Sequence, residues 1–425
     1  MRRKLRAAAM ATTAAMAVAL SACSASGGTS SGSSGPNTLT VAWESAETAG
    51  FNAVAKLFEK ENPGVKISAT FADVNPHQAL VRTELSAGTA PDIVQVSAAN
   101  GNPIALDQLV PPGYLANLSD QAWLNDIPQS IRWATQVDGK TYMLPTTIYG
   151  IGMMFNMNTM HSIGASPPTT YSQVLALCKT AEAHGKYAFD ISVGGIQAIM
   201  VPYALVATNV YSTDPNFDVQ QKAGKTSFAA SPGYLKSLEQ EQQMNTAGCF
   251  GPRPSGEVLT DSVNNVANGH ALGSITITAL TGQYIAAAPH ATFEFFPLPS
   301  TDNPAQTRVD AGAGNGAAIN ASAKNLPLAK KFLAFLATPA AQALYSKVNG
   351  ELPAMPGPAY QYQPIVQNLI TLFDANRTGP LLDQNWPNAV VQQTLVQGVQ
   401  NMFAGNAAPM QVLRNMDQSY ASNSS

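Results

Sequence analysis

From residue 38 the apolar positions change period several times, and each change marks an element. Thr38-Leu39-Thr40-Val41-Ala42-Trp43 alternates as a half-buried strand does, and over 50–61 Phe51, Val54, Ala55, Leu57 and Phe58 recur at helical spacing until Asn62-Pro63-Gly64 stops them. A second strand is predicted over 65–71, a second helix over 78–86 and a third strand over 92–96. This alternation is that of an α/β lobe with a largely parallel sheet, in which ligands sit beyond the carboxyl ends of the strands. The loops after Trp43, at Asp73 and after Ser97 are therefore the first places to look.

Further along, Asp138-Gly139-Lys140-Thr141 reads as a hairpin turn leading into Tyr142-Met143-Leu144-Pro145, followed by an apolar strand over 148–156. Helices are predicted over 170–184, 232–245, 326–336 and 389–403. The last is introduced by Trp386-Pro387-Asn388, with Pro387 suited to an early helical position. No repeat of solenoid length is present.

The first 36 residues follow a different pattern. Arg2, Arg3, Lys4 and Arg6 precede a short apolar run over 7–20, then Leu20-Ser21-Ala22-Cys23, then a Ser/Gly tract. A basic start and an apolar segment too short for an ordinary membrane span read as an export signal over 1–22. Leu-Ser-Ala-Cys resembles the lipobox of bacterial lipoproteins, which makes Cys23 the expected lipid anchor and 23–36 a flexible tether. The alternative is an ordinary secretory signal with an incidental cysteine.

The remaining chain of about 390 residues exceeds what one core usually supports, so two lobes are expected. Charged residues make up 12% of the chain and the net charge is -3, well below the charge density of a typical domain. With no basic stripe or tail, nucleic acid is not an expected partner. Two cysteines follow Cys23: Cys178 in a helical pattern and Cys249 in a turn. An exported chain can keep a disulfide, and the alternative is two buried thiols.

Taken together, several segments resemble the family 1 extracellular solute-binding proteins of ABC importers, the group that includes maltose-binding and glycerophosphodiester-binding proteins. The resemblance rests on Leu39-Thr40-Val41-Ala42-Trp43, on Phe58-Glu59-Lys60-Glu61-Asn62-Pro63-Gly64-Val65 and on Ala87-Gly88-Thr89-Ala90-Pro91-Asp92-Ile93-Val94. It continues through Asp138 to Pro145, Phe155-Asn156, Lys330 to Leu336 and Gly350-Glu351-Leu352-Pro353. Each segment is weak alone; their order and spacing are specific.

This resemblance implies a class II periplasmic-binding-protein fold: two α/β lobes, a hinge and an inter-lobe cleft. Lobe one would hold 37–147 plus 311–349, and lobe two 148–310 plus 350–425. Such a protein has no catalytic step and no cofactor. It clamps a solute by hinge closure and presents it to the membrane permease of an ABC importer, as an expected monomer held to the membrane through lipid on Cys23. The expected cargo is an uncharged carbohydrate or polyol, and the rival within the same class is a glycerophosphodiester or glycerol 3-phosphate.

An exported hydrolase is the rival reading, but Gly28-Thr29-Ser30-Ser31-Gly32 lies in the tether with no flanking strand or helix, so it is no nucleophile elbow. The five histidines show no metal spacing and no C-x-x-C is present, so no metal site is expected. A sensory protein that kept the fold without transport is a further alternative.

For a cleft, the candidates are aromatics, amides and hydroxyls in loops between the lobes. Trp43 is one, or else a core residue on the strand face of Leu39 and Val41. Glu44 and Ser45 follow it, Asn75 follows the second strand, and Ser97 and Asn100 follow the third. By resemblance, Tyr149 lies at a crossing that often lines the cleft, and Trp386 where maltose-binding-like members carry a stacking aromatic.

The stretch from Gly273 to Gly282 resembles the hydroxyl-rich loop of glycerophosphodiester-binding members, which brings in Thr278 and Thr281. Glu351, standing where those members usually have tyrosine, argues against a phosphodiester, although Arg377 could reach the cleft. Gly314 and Asn315 complete the set.

Overall fold

The computed structural model describes residues 37–422. The leader, the tether and Cys23 lie outside the described residues. Among those described, no helix is long and apolar enough to cross a membrane.

Two sheets organise the chain. The first has the order Lys66–Ala72, Thr38–Glu44, Ile93–Ser97, Asn315–Ile319, Leu144–Pro145. Its first three strands are parallel and Asn315–Ile319 runs against them. The connecting helices are Thr48–Glu61 and Val74–Ala87. The second begins earlier than the apolar period indicates, because Pro76 is tolerated in a first turn whose N–H groups have no intrahelical partner. Gly88 ends that helix in the left-handed region at φ 69°.

Strand alternation sends Leu39, Val41 and Trp43 into the core of this lobe, where they are fully buried against Phe51 and Phe58 of the first helix. Phe332, from the helix Leu326–Leu336, closes the layer with its ring 5.1 Å from that of Phe58.

The second sheet has the order Thr378–Gly379, Val309–Ala313, Thr147–Asn156, Ala271–Ile277, Tyr187–Phe189, and Phe293–Phe296 and Leu352–Pro353 also pair with its central strand. Nearly every residue of Thr147–Asn156 is buried, as a central strand covered on both faces requires. Helices Tyr171–Ala183 and Pro232–Thr246 begin at Thr170 and Ser231, whose hydroxyls accept backbone N–H groups. Helix Ala389–Phe403 is capped by Asn388, whose amide oxygen lies 2.9 Å from the Val390 nitrogen. Pro387 therefore stands before this helix and not within its first turn. Cys178 and Cys249 are joined by a disulfide inside the core of this second lobe.

Helix Met200–Asn209 was not legible as a period, because it is buried all round and has no polar face. The turn at Asp138-Gly139 has both residues at positive φ, 49° and 72°, and joins Gln136–Val137 to Lys140–Thr141 as a type I′ hairpin.

Among the described residues the chain passes between the two sheets three times. The first passage is at Thr146, between Leu144–Pro145 and Thr147–Asn156. The second is at Gly314, beyond the expected 310/311 boundary, because Val309–Ala313 is bonded into the second sheet. The third is at Gly350-Glu351, before Leu352–Pro353.

Candidate functional site

Between the lobes lies a cavity of about 520 Å³, within the range of roughly 300–1,000 Å³ usual for small-molecule sites. Lobe one contributes the loops at the carboxyl ends of its parallel strands: Glu44 and Ser45, then Asp73 and Asn75, then Ser97 and Asn100. Asn315, opening the returning strand, sits beside them and its amide oxygen accepts from the Ser97 hydroxyl at 3.0 Å. Asn100 is held by Gln108, whose amide donates to it at 3.0 Å. The Ser45 hydroxyl donates to the Asp73 carboxylate.

Lobe two contributes Tyr149 and Ile151 from its central strand, Gln197, Met200 and Tyr203 from the helical segment beyond Ser192, and Asp383, Gln384 and Gln392 from the turn Leu382–Asn385 and the helix Ala389–Phe403. The Gln392 amide donates to Asp383 Oδ2 at 2.7 Å, and the Gln384 amide to the Ala313 carbonyl at 2.6 Å. Aliphatic side chains, among them Ile196, Ile199, Val258 and Leu280, fill the spaces between these polar groups. At the rim the lobes meet closely. A Cβ on Gly101, whose φ is 80°, would lie 2.1 Å from the Asp383 carbonyl oxygen.

Behind the cleft, at the hinge, Glu47 is fully buried and accepts four hydrogen bonds. They come from the Gln95 amide at 2.6 Å, the Tyr149 hydroxyl at 3.0 Å, Trp43 Nε1 at 3.2 Å and the Tyr345 hydroxyl. Burial pushes its carboxyl upward and these donors pull it back. Glu44 is pushed up to about 8, by burial first and by the neighbouring Glu47 second. Glu351, buried without a partner for either oxygen, is pushed well above the carboxylate range, mainly by burial.

Of the residues anticipated from sequence, Glu44, Ser45, Asn75, Ser97, Asn100, Tyr149 and Asn315 line the cavity, and so does Gly314. Four others do not. Trp43 is a core residue: its ring lies 4.9 Å from Phe51 and its Nε1 donates to Tyr345 at 2.8 Å. Trp386 is fully buried one layer behind the wall, edge-on to Tyr203 and Phe228.

Thr278 and Thr281 are spent on local structure. Thr278 Oγ1 accepts the Gly150 N–H at 3.0 Å, and the Thr281 hydroxyl donates to the Thr278 carbonyl at 2.7 Å. Arg377 is likewise committed elsewhere, its guanidinium donating to the Thr307 carbonyl. Asp73, which opens one of the loops singled out from the sequence, lines the cavity as well, and sequence reasoning missed Tyr203, Asp383, Gln384 and Gln392. The polar run Asp383-Gln384-Asn385 between apolar neighbours was the one available signal.

None of the described residues lining the cavity is Lys, Arg or His, and among the described residues no group of three His, Cys, Asp or Glu is arranged to hold a metal ion. The site offers directed hydrogen bonds between apolar surfaces.

Residues 42–343 match the family described as bacterial extracellular solute-binding protein. Among curated relatives, the multiple sugar-binding protein of Streptococcus mutans is 24% identical over 354 residues, covering 78% of each chain. The maltooligosaccharide ABC transporter solute-binding lipoprotein of Streptococcus pneumoniae is 25% identical, covering 76% of this chain and 74% of its own. Among solved structures, the binding protein RafE of Streptococcus pneumoniae in complex with raffinose superposes with a TM-score of 0.74 at 19% identity, over 90% of this chain and 98% of its own. Two lobes, three crossings, an inter-lobe cleft and a family match over most of the sequence agree: the chain belongs to the bacterial extracellular solute-binding proteins, has their class II periplasmic-binding-protein fold, and is a binding protein and not an enzyme.

Proposed function

We propose that this chain captures a carbohydrate outside the cell membrane by closing its lobes, and delivers it to the permease of an ABC importer while tethered through lipid on Cys23. The observation that carries this reading is the lining of the cleft. Amides and hydroxyls from both lobes, Asn75, Ser97, Asn100, Asn315, Gln384 and Gln392, alternate with aliphatic surface, which suits a solute with many hydroxyls and apolar ring faces. Tyr149 and Tyr203 are the aromatic contributors among the described lining residues. Because contacts from both lobes exist together only when the cleft is shut, the solute favours the closed population. The sugar-binding relatives support the same assignment.

A glycerophosphodiester is disfavoured. A phosphate would meet Glu44, Asp73 and Asp383 with no cationic side chain among the described lining residues.

The test is thermal unfolding of the lipid-free mature chain against sugars, polyols and glycerophosphodiesters. At about 100 times its Kd a ligand adds about 2.7 kcal/mol, several degrees in a protein of this size. A selective shift with a sugar is expected, together with loss of uptake of that sugar on deletion. A shift only with a glycerophosphodiester, or none at all, would overturn the assignment.

A further inference from the structure

The lobe-two wall of the cleft carries more negative chemistry than a neutral sugar needs. Asp383 reaches the cavity, and behind it Asp310 is fully buried, with the Leu382 backbone beside it and no side-chain or cationic partner for either carboxylate oxygen. The two acids interact electrostatically. Beside them Tyr203 lines the cavity, 2% exposed, with its hydroxyl oxygen unpartnered and the Gln392 side chain next to it. Facing this wall from lobe one is Glu44, itself only 8% exposed.

Carboxyl groups removed from water are costly unless something compensates them. The ion pairs among the described residues, Lys66 with Glu59 and Lys330 with Asp120, involve none of these acids. Asp310 and Tyr203 interact electrostatically with Asp383, and the Gln392 amide, which donates to Asp383 Oδ2 at 2.7 Å, is a neutral partner that brings no positive charge to the pair of acids.

Resting on the carbohydrate reading, we propose that the cargo carries a protonated amine, and that Asp383 and Tyr203, with Asp310 behind them, form the subsite that receives it. An ammonium presents three N–H donors and a full positive charge. The Asp383 carboxylate and the Tyr203 oxygen are acceptors, and the charge supplies the counter-ion the wall lacks. A hydroxyl at the same position offers one donor and no charge. Burial pushes Asp383 up to about 7, so an arriving ammonium expels a proton from this carboxyl below neutrality. Amine binding then strengthens as pH rises from about 5 to 6.5, below the range in which the amino sugar loses its own proton, while binding of the hydroxyl analogue does not share that rise.

The experiment is titration calorimetry on the lipid-free mature chain with three matched pairs: glucosamine and glucose, chitosan disaccharide and cellobiose, 2-trehalosamine and trehalose. In any pair that binds, the amino member is expected to bind at least tenfold tighter at pH 6.5 and to release protons at pH 6. That ratio should collapse toward one in Asp383→Asn and shrink in Tyr203→Phe. Being a ratio on one protein sample, it is insensitive to partial misfolding of a variant. A neutral member binding as tightly as its amine overturns this inference and leaves the carbohydrate reading standing. Failure of every sugar in the pairs and in the thermal panel overturns both.

Discussion

Tyr149, on the central strand of lobe two, donates its phenolic hydrogen bond to Glu47 of lobe one across 3.0 Å, directly behind the cleft. One edge of Tyr149 therefore faces the solute site while its hydroxyl is bound to the hinge. Replacing it with Phe leaves the wall in place but removes one of four donors from a fully buried carboxylate. Tyr149→Phe is expected to lower stability by about 1–3 kcal/mol, read by denaturant unfolding, with a change in solute affinity because the bond couples the lobes. Unchanged stability and unchanged affinity together would show that this bond does not couple them.

The buried acids set a pH dependence whose sign is opposite to that of ordinary surface carboxylates. Glu44 titrates near 4.5 in the unfolded chain and near 8 in the fold. Between those values the folded state holds a proton the unfolded chain has released, so this contribution is complete below about 4.5 and is lost as pH rises through 8. Asp383, at about 7, acts in the same direction. The melting temperature should fall from pH 5 to 8.5. Glu44→Gln should flatten the fall, removing on the order of 2–4 kcal/mol of pH-dependent stability. A wild-type melting temperature that rises across that window would contradict the assignment.

Much of lobe one and of its cleft loops was legible because two simple patterns coincide there. Alternation at Thr38 to Trp43 and helical spacing after Gly50 give a parallel α/β unit, and that topology alone places Glu44, Ser45, Asn75, Ser97 and Asn100 at one edge. The tryptophans were harder. Trp43 is third on the inward face after Leu39 and Val41, and the alternation that marks the strand also buries it. Trp386 precedes a helix whose position was clear, but its orientation depends on contacts with Tyr203 and Phe228 far away in sequence. Tyr203 lies in a helix buried on all sides, where no polar position singles it out, and Asp383 lies in a short 3-10 turn without a period.

Trp386→Phe is expected to cost stability, about 1–3 kcal/mol for the lost volume in a packed core, with solute affinity changed less than threefold. Calorimetry on the folded variant separates the two effects. A tenfold loss of affinity at unchanged stability would return Trp386 to the binding surface.

Gly101 permits the rim contact between the lobes. In Gly101→Ala the new methyl group collides with the Asp383 carbonyl at its 2.1 Å position, and the left-handed backbone adds about 1–2 kcal/mol of local strain. The variant should stay open. Small-angle scattering of the free protein should give a larger radius of gyration, and solute should bind at least tenfold more weakly. A scattering profile identical to wild type would refute the rim contact as a limit on closure.

Reduction of the Cys178–Cys249 bond opens a loop closed across 71 residues of sequence. The chain-entropy relation puts its contribution at about 4 kcal/mol. Because both cysteines lie in the core of lobe two, the double Cys178→Ser, Cys249→Ser variant should unfold at lower denaturant concentration while its solute affinity stays within about twofold. Equal midpoints for the two proteins would count against the bond as a source of stability.

The order of strands in the first sheet has a consequence for how the molecule comes to exist. Ile93–Ser97 pairs on one side with the first strand of the described chain and on the other with Asn315–Ile319, and the Ser97 side chain bonds to Asn315 from 218 residues away. A chain emerging from synthesis therefore carries, through most of its length, a sheet edge with open hydrogen-bonding groups and an uncovered apolar face. Contacts so distant in sequence are slow to form, and such an edge is where chains associate wrongly before they fold. Lobe one, although it comes first, is among the last parts to be completed. A fragment ending at Pro145 would lack both the neighbour of its third strand and the helix that carries Phe332. The natural unit of folding is the nearly complete chain.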